Sequence, residues 1–149
     1  MKVIIGIPAF NEEKNIGSLI IELKKRYDHV LVCDDGSSDN TADIALEMGA
    51  TVAKHSQNQG YGSAIKTIFS ESKKIDCNIL VTFDADGQHQ ISEIDDILKP
   101  ILENSADIVI GSRFLGKTKN LPKYRKFGIK TITGLTNVMT GSNISDSQS

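Results

Sequence analysis

The chain has only two cysteines in 149 residues. Cys33 sits inside the apolar run Val30-Leu31-Val32 and Cys77 stands before a second one, with no CxxC spacing. That excludes a disulfide framework, and both residues read as inert thiols. No hydrophobic run approaches the roughly eighteen residues that span a bilayer. The start, Met1-Lys2-Val3-Ile4-Ile5, leads into a strand pattern rather than a secretory signal. A soluble, cytoplasmic protein is expected. There is no GxSxG elbow, and His29, His55 and His89 show no arrangement that suggests a triad. Neither a GxGxxG nor a Walker pattern occurs. No aromatic-rich strand accompanies the basic residues, so the marks of a nucleic-acid module are missing. Repeats, low-complexity segments and linkers are also lacking, which leaves one globular domain as the expected organisation.

What is present is a charge asymmetry. Residues 1–107 carry 10 basic and 18 acidic side chains, whereas residues 108–149 carry 7 basic and 1 acidic. The basic set is Arg113, Lys117, Lys119, Lys123, Arg125, Lys126 and Lys130. Such a block suits an anionic partner, a pyrophosphate, a lipid phosphate or a membrane surface, and it also suits a solvated face.

Apolar runs alternate with helical periods. Val3-Ile4-Ile5-Gly6-Ile7 predicts a buried strand, and residues 12–26 a helix with Ile16, Leu19, Ile20 and Leu23 on one side. Val30-Leu31-Val32-Cys33 predicts the second strand. Asp39 or Thr41 caps the next helix, which carries Ile44, Ala45 and Met48 and ends at Gly49. Thr51-Val52-Ala53 is the third strand, residues 62–73 a helix with Ala64, Ile65, Ile68 and Phe69 inward, and Ile79-Leu80-Val81 the fourth strand. Ser92-Glu93-Ile94-Asp95 reads as a capping box opening a helix with Ile97, Leu98 and Ile101 on one side despite Pro100. Asp107-Ile108-Val109-Ile110 reads as a fifth strand. Beyond it, apolar residues from Tyr124 to Met139 recur every three to four positions, as in an amphipathic helix that packs on the sheet or faces lipid headgroups.

Strands apolar on both faces and alternating with amphipathic helices predict an α/β, Rossmann-like fold: a mostly parallel sheet with helices on both faces. Ligands bind such folds beyond the carboxyl ends of the strands. Four polar segments fall there: Pro8-Ala9-Phe10-Asn11-Glu12, Asp34-Asp35-Gly36-Ser37, Asp84-Ala85-Asp86-Gly87-Gln88 and Gly111-Ser112-Arg113. In an extended turn Asp84 and Asp86 can lean toward one cation, with Gln88 as a third oxygen and a diphosphate completing the shell. That hard oxygen set suits magnesium or manganese better than zinc. The same residues also make an ordinary Asp-Gly turn. Asp35 can accept hydrogen bonds from a base N–H or from ribose hydroxyls. Asn58-Gln59-Gly60-Tyr61-Gly62 is a glycine-bearing turn into a helix. Arg113 can clamp a diphosphate or pair with one of the acids.

Taken in order, these motifs together with Ser38-Asp39-Asn40-Thr41, His89 and Phe114 resemble the family 2 glycosyltransferases of GT-A fold. Within them the dolichyl-phosphate mannose synthase and polyprenyl-phosphate glycosyltransferase type is the most similar. The resemblance implies an inverting, metal-dependent transfer from a nucleoside diphosphate sugar, of GDP-mannose or UDP-glucose type, to a polyprenyl or dolichyl phosphate. It implies a nucleoside pocket of Pro8, Ala9, Phe10, Asn11, Glu12, Cys33 and Asp35, with Cys33 contributing mainly backbone. Asp84, Ala85 and Asp86 would hold ribose, sugar and metal, and Gln88 would join the shell of a Mg2+ or Mn2+ ion. Asp86 and Arg113 carry the catalytic expectation. Arg113 and Arg125 would neutralise the donor diphosphate or the acceptor phosphate. A peripheral position on the cytoplasmic face of a membrane follows from the lipid acceptor, and the oligomeric state stays open.

Tyr61 stands where relatives often have lysine or a small residue. The chain stops at Asp146-Ser147-Gln148-Ser149 where relatives continue. The resemblance therefore implies a C-terminally truncated GT-A domain, with residues 1–113 as the nucleotide-sugar part and 114–149 as the start of the acceptor part. Two other readings compete. A sugar nucleotidyltransferase would need a glycine-rich, basic loop after the first strand. A receiver-type signalling domain would share the acids after two strands but would want lysine where Ser112-Arg113 stands.

Overall fold

The apolar run at the amino terminus becomes the centre of the molecule. In the computed structural model, which describes residues 1–86 and 90–111, β1 (Val3–Ala9) lies between β2 (His29–Asp34) and β4 (Ile79–Thr82), and β3 (Thr51–Lys54) flanks β2. The order is β3-β2-β1-β4 and every pairing is parallel. Ile4 stands opposite His29, Ala9 opposite Asp34, and Gly6 opposite Thr82. Ile4, Ile5 and Ile7 have no exposed surface. Burying each contributes roughly 1.5–3 kcal/mol.

The helices α1 (Ile16–Lys24), α2 (Thr41–Glu47) and α3 (Tyr61–Lys74) make the parallel crossovers. Ile4, Leu31 and Cys33 form one sheet face and pack with Ala64 and Ile68 of α3. By the two-residue period of a strand, the buried Ile5, Ile7, Val30 and Val32 take the opposite face. There α1 and α2 pack on each other and on β2. Gly6 is a close-approach position, because a Cβ on it would stand 2.4 Å from Ile68 Cγ2. The strands are added outward from β1 to β2 and β3 and then on the other side of β1 at β4, which makes the gap between β1 and β4 the topological switch point.

Several elements differ in detail from their sequence patterns. α1 begins at Ile16 rather than near residue 12, because Glu12 and Glu13 donate their N–H groups to Thr41 Oγ1 (2.8 Å) and Asp39 Oδ2 (3.1 Å) in the following loop. Those donors leave residues 12–15 as a turn. Phe69, expected inward, is 51% exposed. The buried stripe of α3 is Ala64, Ile68 and Ser72, a strict four-residue spacing that leaves the position after Ile68 turned away. Ser92 does not open a capping box. It falls inside a 3-10 turn (Ile91–Glu93) that precedes α4 (Ile94–Leu102), whereas a capping serine must hold the extended position before the helix.

The chain divides into two compact units, Met1–Ile94 and Asp95–Ser149. The sheet belongs to the first. In the second, residues 107–110 form no strand, and Ile108 and Ile110 are exposed. An apolar tetrad supplies strand-like side chains, but a ladder needs a partner backbone in register. The amphipathic pattern from Tyr124 to Met139 lies outside the described residues. Among the described residues, no helix is long and apolar enough to cross a membrane.

Candidate functional site

Loops leaving the carboxyl ends of β1 and β2 are held together before any ligand arrives. Asn11, with φ of 56°, donates its N–H to Ser37 Oγ (2.9 Å), and its Oδ1 accepts from the N–H of Ser38 (2.9 Å) and from Ser38 Oγ (3.2 Å). Glu13 Oε2 accepts from the backbone and side-chain N–H groups of Asn40. Asp39 Oδ1 accepts from the N–H and hydroxyl of Thr41, the first residue of α2, so Asp39 serves both helix start and clasp. Burial opposes the charge on Asp39, but these hydrogen bonds outweigh it and hold its carboxyl below the ordinary value.

Asp35 anchors a second loop. It is buried, and its Oδ1 accepts from His55 Nδ1 (2.6 Å) and the Gln59 N–H (2.9 Å), while Oδ2 accepts from the Gly60 N–H (2.8 Å). Burial again opposes ionisation. The bonds from Gln59, His55 and Gly60 prevail and keep the carboxyl below its usual range. His55 Nε2 lies 2.8 Å from Thr67 Oγ1 on α3. In the tautomer with the proton on Nδ1, the ring donates to the carboxylate and accepts the Thr67 hydroxyl at Nε2, and both nitrogens are satisfied. Gly36 makes the crossing of the two loops possible: its φ is +73°, and a Cβ there would stand 2.4 Å from the carbonyl carbon of Gln57.

The neighbouring acid does different work. Asp34 is completely buried, its Oδ1 accepts from the Ser37 N–H (3.2 Å), and its Oδ2 makes no hydrogen bond. Lys54 Nζ at 3.8 Å compensates its charge at ion-pair distance. Cys33 lies beneath the site, fully buried, with Sγ 3.7 Å from His55 Nε2. Burial and the charge of Asp35 push its thiol up to about 11, so it offers no thiolate at neutral pH.

Between these loops and the start of α3 lies a cavity of about 210 Å³, lined by Pro8, Ala9, Phe10, Asp35, Asn58, Tyr61 and Ala64. A larger hollow of about 480 Å³ opens at the amino ends of β1 and β2, around Lys2, Arg26 and His29. The smaller cavity is the stronger candidate, because it stands at the strand ends that carry the acids. Asp84 follows β4, half-buried, and its Oδ1 accepts a 3.3 Å bond from the Tyr61 hydroxyl. That bond links the cavity wall to the acidic turn. Ala85 is buried and Asp86 exposed.

Of the residues singled out from sequence, Pro8, Ala9, Phe10 and Asp35 meet at the cavity, whereas Asn11 is spent on the loop clasp. Glu12 Oε2 accepts from Asn15 Nδ2 within its own turn (2.9 Å). Gln88, Arg113 and Arg125 lie outside the described residues. Among the described residues, no three His, Cys, Asp or Glu side chains gather as a metal cluster. The two carboxylates after β4 are nevertheless a hard oxygen donor pair, with one exposed member, and that chemistry fits magnesium or manganese. Sequence reasoning gave no role to His55 or Thr67, and none to Asn58 beyond its glycine-bearing turn. His55 immediately follows β3, so the strand-end rule applied to the other strands would have found it.

These features define a doubly wound α/β domain with a cavity beyond the carboxyl ends of β1 and β2. The Glycosyl transferase family 2 pattern matches residues 4–147, and the chain belongs to that family. It is 35% identical over 163 residues to the UDP-N-acetylglucosamine–dolichyl-phosphate N-acetylglucosaminyltransferase of Methanococcus voltae, covering 96% of this chain and 65% of that protein. It is 33% identical to the dolichol-phosphate mannosyltransferase of Pyrococcus furiosus, over 85% of this chain and 38% of that one. Mannosyl-3-phosphoglycerate synthase from Rubrobacter xylanophilus superposes with a TM-score of 0.60 at 26% identity, over 69% of this chain and 36% of its own. Glucosyl-3-phosphoglycerate synthase from Mycobacterium tuberculosis, solved with Mg2+ and uridine diphosphate, gives 0.57 at 26% identity, over 68% and 39%. The fold is therefore GT-A. The chain spans less than two thirds of the length of both dolichyl-phosphate enzymes named above.

Proposed function

We propose that the protein is an inverting, metal-dependent glycosyltransferase that moves a sugar from a nucleoside diphosphate sugar to a polyprenyl or dolichyl phosphate. The observation that carries this reading is the crevice itself: a cavity walled by the β1 loop and α3, with Asp35 inside it and Asp84 joined to its rim through Tyr61. A base would lie against Phe10 and Asp35, which both line the cavity, and a sugar diphosphate leaving it would run toward the turn after β4. The dolichyl-phosphate enzymes among the relatives support the acceptor class.

Asp84, Asp86 and Gln88 would hold a magnesium or manganese ion, which supplies charge stabilisation for a leaving diphosphate. The acceptor phosphate oxygen is already anionic near neutral pH, so no strong general base is demanded. The work left to the chain is alignment: Asp35 fixes the base, the clasped β1 and β2 loops fix the wall behind it, and Asp84 and Asp86 fix the far end. Arg113 and Arg125 would add positive charge for the diphosphate or the acceptor phosphate, and the basic residues around them suit the cytoplasmic face of an anionic membrane. Calorimetric titration of UDP, GDP and their sugar conjugates, with and without manganese, tests this. Manganese-dependent binding is the expected result, and no binding of any of them rejects the reading.

A further inference from the structure

Asp35 is a carboxylate with most of its acceptor capacity already used. Two oxygens offer about four lone-pair positions. Oδ1 takes His55 Nδ1 and the Gln59 N–H and is full, whereas Oδ2 takes only the Gly60 N–H and keeps one position. The cavity therefore meets a single free acceptor on this side chain. Beside it, Asn58 uses its Oδ1 to accept from the Gly60 N–H (3.0 Å), which leaves its amide N–H groups as donors. One acceptor next to one donor matches the N3–H and carbonyl edge of uracil. Guanine presents the same lactam edge plus an exocyclic amino group, and that second donor would meet the filled Oδ1.

On this basis, and resting on the transferase reading above, we infer that the donor is a uridine rather than a guanosine diphosphate sugar, with His55 as the positioning residue that sets the preference by occupying Asp35 Oδ1. His55 is nearly buried, is braced from α3 by Thr67, and acts only through Asp35. An acceptor that is occupied rejects an extra donor by leaving it desolvated and unpaired, a penalty of about tenfold or more in affinity.

Titration of the chain with UDP and GDP at fixed manganese, by calorimetry, reads the preference directly. UDP is expected to bind at least about tenfold more tightly. His55→Leu removes the donor to Oδ1 and should narrow the gap by raising GDP affinity relative to UDP, while His55→Asn, whose amide can still donate to Oδ1, should keep the wild-type ratio. A structural role alone would weaken both nucleotides together and leave the ratio unmoved. GDP binding as tightly as UDP to the wild type overturns the inference and leaves the transferase reading standing, whereas failure of both to bind overturns both. An unchanged ratio in folded His55→Leu removes His55 from the account. Should His55→Leu fail to fold, the wild-type ratio and His55→Asn still decide the matter.

Discussion

Asp34 and Asp35 close β2 with buried carboxylates, whereas Asp84 and Asp86 follow β4 in a turn that leaves one acid half-buried and the other exposed. Asp35 spends three acceptor positions on its own protein, and Asp84 accepts one long bond from Tyr61. An ionised group taken out of water persists only when hydrogen bonds replace its hydration, and Asp35 meets that with His55 and two backbone N–H groups, whereas Asp34 has one backbone N–H and Lys54 at ion-pair distance. A pair that is to grip a hydrated cation needs the opposite arrangement, oxygens still open to exchange. On the function proposed above, the two acid pairs, at the ends of β2 and β4 on either side of β1, would divide the labour, the buried one recognising a base and the one that reaches the surface at Asp86 binding charge.

The largest expected effect belongs to the pair after β4. Asp86→Asn removes one charge from an exposed position, so the melting temperature should hold while manganese-dependent sugar transfer falls by about a hundredfold or more. Normal turnover in that variant would break the division of labour. Asp35→Asn should lower stability as well as nucleotide affinity. It puts an amide against the donors of His55, Gln59 and Gly60, costing about 3 kcal/mol and lowering the melting temperature by roughly 6–12 °C. Acid should act on the same group. Its folded-state carboxyl titrates below the unfolded one, so its contribution is complete above the unfolded value of about 4 and is lost as pH falls through the folded value. Wild-type melting temperature should therefore drop more steeply in acid than that of Asp35→Asn, and parallel curves would count against the wiring. The smallest change is expected from Tyr61→Phe. Its 3.3 Å bond to Asp84 is long and Tyr61 is exposed, so stability should move by less than about 0.5 kcal/mol and nucleotide affinity only a few fold in calorimetry.

The sheet was legible from sequence because each strand is an apolar run bounded by polar turns, and a parallel sheet covered on both faces requires such runs. The acids at two strand ends were legible for the same reason. The failures share a cause. Residues 107–110 have the side chains of a strand without its pairing, and the start of α1 was moved by Asp39 and Thr41, which are remote in sequence from Glu12 and Glu13. Phe69 fits a generous helical stripe but not the narrow one that faces Ile4 and Leu31.

By itself, then, the order of residues determined the alternation of elements, the polar strand ends and the family, all of which depend on local period and composition. Only the tertiary structure decided that Asp35 would be buried and bound by His55, Gln59 and Gly60 while Asp86 stayed at the surface. Hydrogen-bond saturation depends on which loops meet across the sheet edge, and strand order brings the loops after β2 and β3 together.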